Sequence, residues 1–394
     1  MVRGIRLALG LAVAVLVSGV RGTGDLQAQW QAAIVAEGTA FQSIDSGDYA
    51  SRGPGEAALV LGASFFVEWD DGRYRGQAEP FVRWDPSGES TRVDFRDLSV
   101  SAIGQRWEVA LGMKEVPWGA AESRRLVDLV NQRDLVGGGD DYLRMGQLMI
   151  DVTAIRRWGT IDVLLLPWFR ERTFDGHSGW LWSPLPVEAD RTVFGPGAGT
   201  GRLDWAVRWA HTLGPVDLGI SHLQGNLREP GFIEIVDSGA PAVLAPRYDA
   251  GGQTGMDVQL AAGGLLWKFE AVTAAPQPRR YVAGAGGVEY GVGDYLAVFV
   301  EYAWDSRGRE ATTSFGDDVF VGGRLFMPDG QVQVGAYVDR RTANTAMSAA
   351  VDWRLGSAIT LGVEAGAFFG DPALEPPFAR RQQTRLAVRV SRYF

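Results

Sequence analysis

Cysteine is missing from all 394 residues, which excludes disulfide staples and thiol catalysis together. Histidine is nearly missing: His177, His211 and His222 are all there is. Ser221 and His222 are adjacent, and neighbours on a strand point to opposite faces, so this pair does not make a nucleophile with its base. The chain has no HExxH helix, no glycine-rich phosphate loop and no Cys/His cluster. The acidic pairs Asp140 with Asp141 and Asp317 with Asp318 fall short of the roughly six to eight oxygens that calcium takes. No enzymatic activity, metal or cofactor is therefore expected. Positive charge is also in deficit. The formal net charge is −9, and becomes −12 if Arg3, Arg6 and Arg21 depart with an export signal, which excludes nucleic acid as a partner. Long apolar runs are absent too, apart from Leu7 to Val20, which is shorter than the roughly 20 residues of a membrane-spanning helix.

That single run has another use. Arg3 and Arg6 precede it and the small residues Ser18 to Gly24 follow it, the arrangement of a secretory signal. A signal peptide is expected over 1–22, with the cut between 19 and 28, leaving 25–394 as one domain. This remainder must bury a chain that is 46% hydrophobic without any spanning helix. It is rich in glycine (52 residues) and in aromatics (14 Trp, 18 Phe, 10 Tyr), which suit strands that face lipid between aromatic girdles. A closed hydrogen-bonded sheet also needs no disulfides to hold it.

Apolar residues recur with a period of two. In "AITLGVEAGAFFG", Leu361, Val363, Ala365, Ala367 and Phe369 share one face, and Thr360, Gly362, Glu364 and Gly366 the other. In "TAMSAAVDWRLG", Met347, Ala349, Val351, Trp353 and Leu355 oppose Ser348, Ala350, Asp352 and Arg354; in "RLDWAVRWA", Leu203, Trp205, Val207 and Trp209 oppose Arg202, Asp204 and Arg208. A soluble sandwich would alternate in the same way, so loop length decides. Short turns are expected at 70–72, 103–105, 158–160, 213–215, 262–264, 291–293, 327–330 and 355–358. Mostly longer connections intervene near 43–55, 85–89, 115–142, 171–200, 225–250, 276–280, 305–316, 340–344 and 370–381. Strict alternation of short and long is what an up-and-down barrel in one membrane requires. The reading is an all-β fold, a transmembrane antiparallel up-and-down β-barrel of about 18 strands, or 16 should the less regular stretches 27–42 and 56–70 not both contribute.

With the apolar face outward, the other face lines a lumen. Arg92, Asp94, Arg96, Arg106, Glu108, Asp204, Arg208, Lys268, Glu270, Asp352, Arg354 and Glu364 are expected there, in a wall of mixed charge that holds water. One passage breaks the pattern. After "VALGMKEVPWG" the alternation stops at Pro117, and Leu126, Leu129, Val130 and Val136 then fall three, four or six apart, as on a helix. The segment 115–142 is expected to be a short helical loop folded into the barrel, with Glu122, Arg124, Arg125, Asp128, Asn131, Arg133 and Asp134 narrowing the pore. "GGGDD" closes it with a flexible hinge.

Two stretches carry resemblances. "RLAVRVSRYF" ends in Phe394 and resembles the closing strand of bacterial outer-membrane proteins, although Arg392 stands where many of these have Tyr. That likeness implies that the barrel-assembly machinery reads Phe394. "PWGAAESRRLVDLVNQRDLV" is similar to a motif of a poorly characterised family of porin-like proteobacterial outer-membrane barrels, in which Trp-Gly precedes Asp-aliphatic-aliphatic-Asn-Pro-x-Asp. Trp118, Gly119, Asp128, Leu129, Val130, Asn131 and Asp134 fit, and Gln132 replaces the Pro. The resemblance implies an outer-membrane channel or transporter, akin in architecture to porins and alginate-export barrels. The expected partners are outer-membrane lipid and lipopolysaccharide, the assembly machinery, and a small or extended hydrophilic solute. A surface-exposed structural or adhesive barrel is the alternative, and an outer-membrane lipid hydrolase is a third reading.

Overall fold

The computed structural model describes residues 27–41, 55–86, 88, 91–121, 125–136, 144–174, 185–238, 241–275, 280–311, 316–371, 374 and 384–394. The expected signal peptide lies outside these residues, as do Glu122, Arg124, Asp140 and Asp141.

The strands run β1 (Gln27–Phe41), β2 (Gly55–Trp69), β3 (Tyr74–Trp84), β4 (Arg92–Ile103), β5 (Trp107–Lys114), β6 (Gln147–Arg156) and β7 (Gly159–Leu166). Next come β8 (Val193–Phe194), β9 (Asp204–Leu213), β10 (Val216–Asn226), β11 (Gly231–Ile235), β12 (Val243–Tyr248), β13 (Ala250–Ala262) and β14 (Leu265–Ala274). The chain finishes with β15 (Tyr281–Val292), β16 (Leu296–Asp305), β17 (Asp317–Met327), β18 (Gly330–Asp339), β19 (Thr345–Leu355), β20 (Ile359–Phe369) and β21 (Arg385–Tyr393).

All but β8, β11 and β12 join one 18-stranded antiparallel sheet. It closes where β21 returns to β1, from Ala33 opposite Tyr393 to Phe41 opposite Arg385. A sheet joined in this way has no edge left to template association. The stretches 27–42 and 56–70 do form strands, β1 and β2, in register from Gln27 opposite Glu68 to Ala40 opposite Gly55.

Short and long connections alternate as the sequence requires. The turn between β13 and β14 is only Gly263 and Gly264, at φ +63° and +77°. Two successive left-handed residues match the twist of a tight hairpin, and glycine takes that conformation without strain. Between β3 and β4 the register shifts at Ala78/Pro80, a bulge that accommodates a proline without a ladder donor.

The outward face is an apolar belt, with Trp205, Val298, Val300, Met347, Leu386, Val388 and Val390 all exposed. Exposed aromatics gather at both rims: Trp107, Trp158, Trp267 and Tyr290 towards the short turns, and Trp84, Trp168, Trp304 and Phe369 towards the long loops. So large a continuous apolar surface is covered by lipid in barrels built on this plan.

The long connections 171–200 and 225–250 carry strands of their own: β11 and β12 form a hairpin, and β8 adds to it in parallel through Arg247 opposite Val193. Phe169, Phe194 and Tyr248 pack ring on ring beneath it, with Phe169 and Tyr248 centroids 4.9 Å apart. The segment 115–142, expected to be helical, is corrected: it folds inward, but no helix forms among its described residues.

Candidate functional site

The inward segment leaves and rejoins the barrel at one rung, because Lys114 at the end of β5 pairs with Gln147 at the start of β6. Asn131 ties its ends together. Its side-chain amide donates to the carbonyls of Lys114 and Met145, and its carbonyl accepts from Val116 N, each at 2.8 Å. Two isolated bridges, Arg133 with Arg144 and Asp134 with Thr173, do the work that helical hydrogen bonds would have done.

Across the lumen the segment docks on Glu270 of β14. One carboxylate oxygen accepts from Ala120 N at 2.5 Å and Ala121 N at 2.7 Å; the other accepts from Leu126 N at 2.6 Å and Val127 N at 3.2 Å. Glu270 is fully buried, so this single side chain supplies acceptors for donors that water cannot reach. Gly119 makes the approach possible: its φ is +111°, and a Cβ there would stand 2.7 Å from Glu270 Oε1. Arg208 lies over the ring of Trp118 at 5.5 Å while forking to Asp257 at 2.7 and 2.9 Å.

Leu126, Val127, Leu129 and Val130 are all buried, in one cluster with Leu164, Leu166, Ala206, Leu223, Val272, Ala274, Ala283 and Ala285 of the wall. A Cβ at Gly255 would fall 2.9 Å from Val127 Cγ1, so the wall is hollowed where the segment lies. This explains the failed helix. Leu126, Val127, Leu129 and Val130 would share one face of a helix, but the side chain of Asp128, which would stand on the opposite face, is buried as well, so the segment is enclosed on more than one side.

The charges expected to narrow the pore have separate destinations. Asp128 pairs with Arg144 at 2.7 Å, both side chains almost wholly buried; burial pushes the Asp128 carboxyl above its usual range, and Arg144 opposes that shift. Asp134 binds Arg92 and accepts from Thr173 Oγ1 at 2.8 Å. Arg125 and Arg133, with Asp128 and Asn131, line a small cavity on the side towards β13 to β15. Among the described residues of the segment, Glu115 and Pro117 face an open space on the opposite side.

That space is a cavity of about 440 Å³, bounded by β3, β4 and β5 and by the inward segment. Arg75, Glu79, Arg96, Asp97, Glu108, Lys114 and Glu115 give it charges of both signs, and Gln77, Ser99 and Ser101 complete a polar wall. Burial holds the Glu115 carboxyl above its ordinary range; Asp128 adds to the shift, and Arg144 and Arg96 work against it.

Of the expected lumen residues, Arg96 and Glu108 face this space, whereas Arg92 and Asp94 are taken up by Asp134 and by Arg170, the latter pair at 2.5 Å. Asp204 is buried against Arg228 at 2.9 Å, Lys268 against Glu289 at 2.7 Å, and Glu364 meets Arg385 at 3.0 Å. Asp352 accepts from Gln331 at 3.2 Å, and Arg354 shares its side of β19 and is exposed. Arg106 belongs instead to the exposed short turn before β5, where its carbonyl accepts from Arg156 at 2.9 Å. Ser221 is buried while His222 is turned the other way, beside Trp205 at 5.5 Å and Thr254 Oγ1 at 2.9 Å. Sequence reasoning missed Arg144, Arg170, Arg172 and Arg228, which lie in loops where no periodicity marks them.

No family model and no curated protein matches this chain. Solved structures with a general likeness include a double-tryptophan variant of Rh. blastica porin, at 10% identity and a TM-score of 0.44, covering 93% of this chain and 100% of that one. A triple mutant of Rhodopseudomonas blastica porin also has 10% identity, with a TM-score of 0.43 and the same coverage. These overlaps are too loose to bear on function, and the closure of the barrel stands on its own strand pairings.

Proposed function

We propose that this protein is an outer-membrane channel through which hydrophilic solutes pass along the β3 to β5 side of the lumen, with the segment 115–142 setting the width of the passage. The observation that carries the reading is the cavity of about 440 Å³ between that wall and Glu115 and Pro117, lined by charged and hydroxyl side chains. A wall with donors and acceptors of both signs replaces the hydration of a polar solute at many points and selects through local charge. The outward apolar belt meets lipid and, on the outer leaflet, lipopolysaccharide. Phe394, at the end of the closing strand with its N–H on Ala32 O at 2.9 Å, presents that strand to the assembly machinery.

The test is conductance of the purified, folded protein in planar bilayers, with uncharged polymers of graded size to gauge the passage. Ion conductance is expected, together with a sharp size limit, and Arg96→Glu should move the reversal potential towards cation preference. A folded protein that inserts but never conducts would sink the reading in favour of an adhesive barrel, and release of fatty acid from the lipid would favour a hydrolase.

A further inference from the structure

A second, much smaller cavity of about 50 Å³ lies on the other side of the inward segment, closed in by that segment, by the loops after β7 and β10, and by the wall of β13 to β15. Four arginines line it, Arg125, Arg133, Arg172 and Arg228, against two carboxylates, Asp128 and Glu229. Both carboxylates are already engaged: Asp128 with Arg144 at 2.7 Å, and Glu229 with Arg307 at 3.1 Å and the Tyr281 hydroxyl at 3.4 Å.

Two of the arginines have donors without acceptors. Arg228 is only 4% exposed; its Nε donates to Val130 O at 2.8 Å, and its Nη1 to Asp204 at 2.9 Å and Asn226 O at 2.6 Å. Among the described residues its Nη2 has no acceptor. Among the described residues the Arg172 guanidinium gives one hydrogen bond, from Nη2 to Arg228 O at 3.3 Å, and its Nε has no acceptor. None of those residues forms an ion pair with the half-buried Arg172 either, and burial holds its guanidinium below the usual range, with Tyr248 and Glu229 working against that shift. A cation drawn out of water without an ion-pair partner is unfavourable, and is retained where something else supplies the charge.

We propose that this cavity is a binding site for a small oxyanion, of which phosphate is the probe, and that the bound anion fastens the inward segment to the loops after β7 and β10. Space suits that occupant. A water needs about 10–15 Å³ of such volume, so the cavity admits a few waters or one small anion and excludes an extended solute. Arginine suits it too, since a planar fork of donors matches an oxyanion better than a point charge does. Lys114 and Lys268, the two lysines of the whole chain, both lie elsewhere. The site does not depend on conduction, and its test needs no membrane current.

The experiment is calorimetric titration of the full-length folded protein in detergent with phosphate, with acetate and with chloride, at constant ionic strength. Phosphate should bind saturably at one site per chain, acetate more weakly, and chloride without measurable heat. Arg172→Gln should weaken phosphate at least tenfold, whereas Arg354→Gln, which changes an exposed arginine on β19, should leave it unchanged. Phosphate should also slow tryptic cleavage after Arg125 and Arg133 in the wild-type protein but not in the Arg172→Gln variant. If acetate binds as tightly as phosphate, a carboxylate-bearing solute is the occupant and the oxyanion site stands. No phosphate heat above that of chloride in the wild-type protein would overturn the proposal even if Arg172→Gln fails to fold, and so would equal phosphate affinity in a folded Arg172→Gln variant.

Discussion

The two sides of this lumen are lined differently. Along β3 to β5 the inward positions include Arg75, Gln77, Glu79, Arg96, Ser99, Ser101 and Glu108, which look onto open space. Around β9, β14 and β15 many are small and apolar, Ala206, Ala274, Ala283 and Ala285 among them, and they are buried beneath the inward segment. Small side chains leave room for a second layer of protein, whereas long charged ones reach for water or for one another. The composition of the inward face thus decides which side stays wet, although the backbone is the same on both.

The most drastic way to break this contrast is to excise Ala120 to Val136. Both sides should then be wet, and the barrel should still fold because the flanking strands keep their ladder partners. Conductance is expected to rise several-fold with loss of ion selectivity; unchanged conductance in a folded variant would show that the segment does not set the width. Glu270→Ala is next in size. It removes the acceptor of four N–H groups, three of them buried, at about 1–3 kcal/mol for each buried donor left unsatisfied. The segment should come loose while the barrel survives, detected as faster tryptic cleavage after Arg125 and a conductance approaching that of the excised protein.

A matched pair of substitutions then sharpens the comparison. Ala283→Leu adds bulk where Ala283 is fully buried, and overpacking of this kind costs about 1–3 kcal/mol. Ser99→Leu adds comparable bulk facing the open side, so it should leave the unfolding midpoint in denaturant almost unchanged and lower the conductance. Equal losses of stability would mean that the two sides are packed alike. The smallest effect concerns pH. Burial raises the folded-state pKa of Glu115, so lowering the pH neutralises it before an ordinary carboxyl, and its ionisation at higher pH opposes folding rather than favouring it. As the pH falls the reversal potential should begin to move away from cation preference before ordinary carboxyls are protonated, and Glu115→Gln should abolish that early part of the movement.

The barrel was legible because each strand announces itself twice, once by alternation and once by the turn that ends it. Trp205 and Asp204 already stand on opposite faces in the sequence, and the structure leaves Trp205 exposed and Asp204 buried. The inward fold of 115–142 was legible from its broken alternation, but its conformation was not. Leu126, Val127, Leu129 and Val130 imitate one face of a helix, but the side chain of Asp128 opposite them is buried too, and a segment packed within a lumen has no solvent face to impose a period. Glu270 was legible as an inward charge and illegible as an anchor. Its partners are backbone groups up to 150 residues away, and backbone groups leave no mark on composition.

The shared rung of Lys114 and Gln147 has an evolutionary consequence. Because the excursion begins and ends on paired neighbours, with Asn131 bracing the junction, its length is decoupled from the geometry of the wall. Closing a longer excursion costs little, roughly 0.6 kcal/mol for each doubling of its length. Insertions, deletions or wholesale replacement between those two residues can be tried by mutation without re-registering a single strand. The stretch is in effect a cassette on a fixed chassis, and changes of pore character within lineages that share this chassis should concentrate there rather than in the wall.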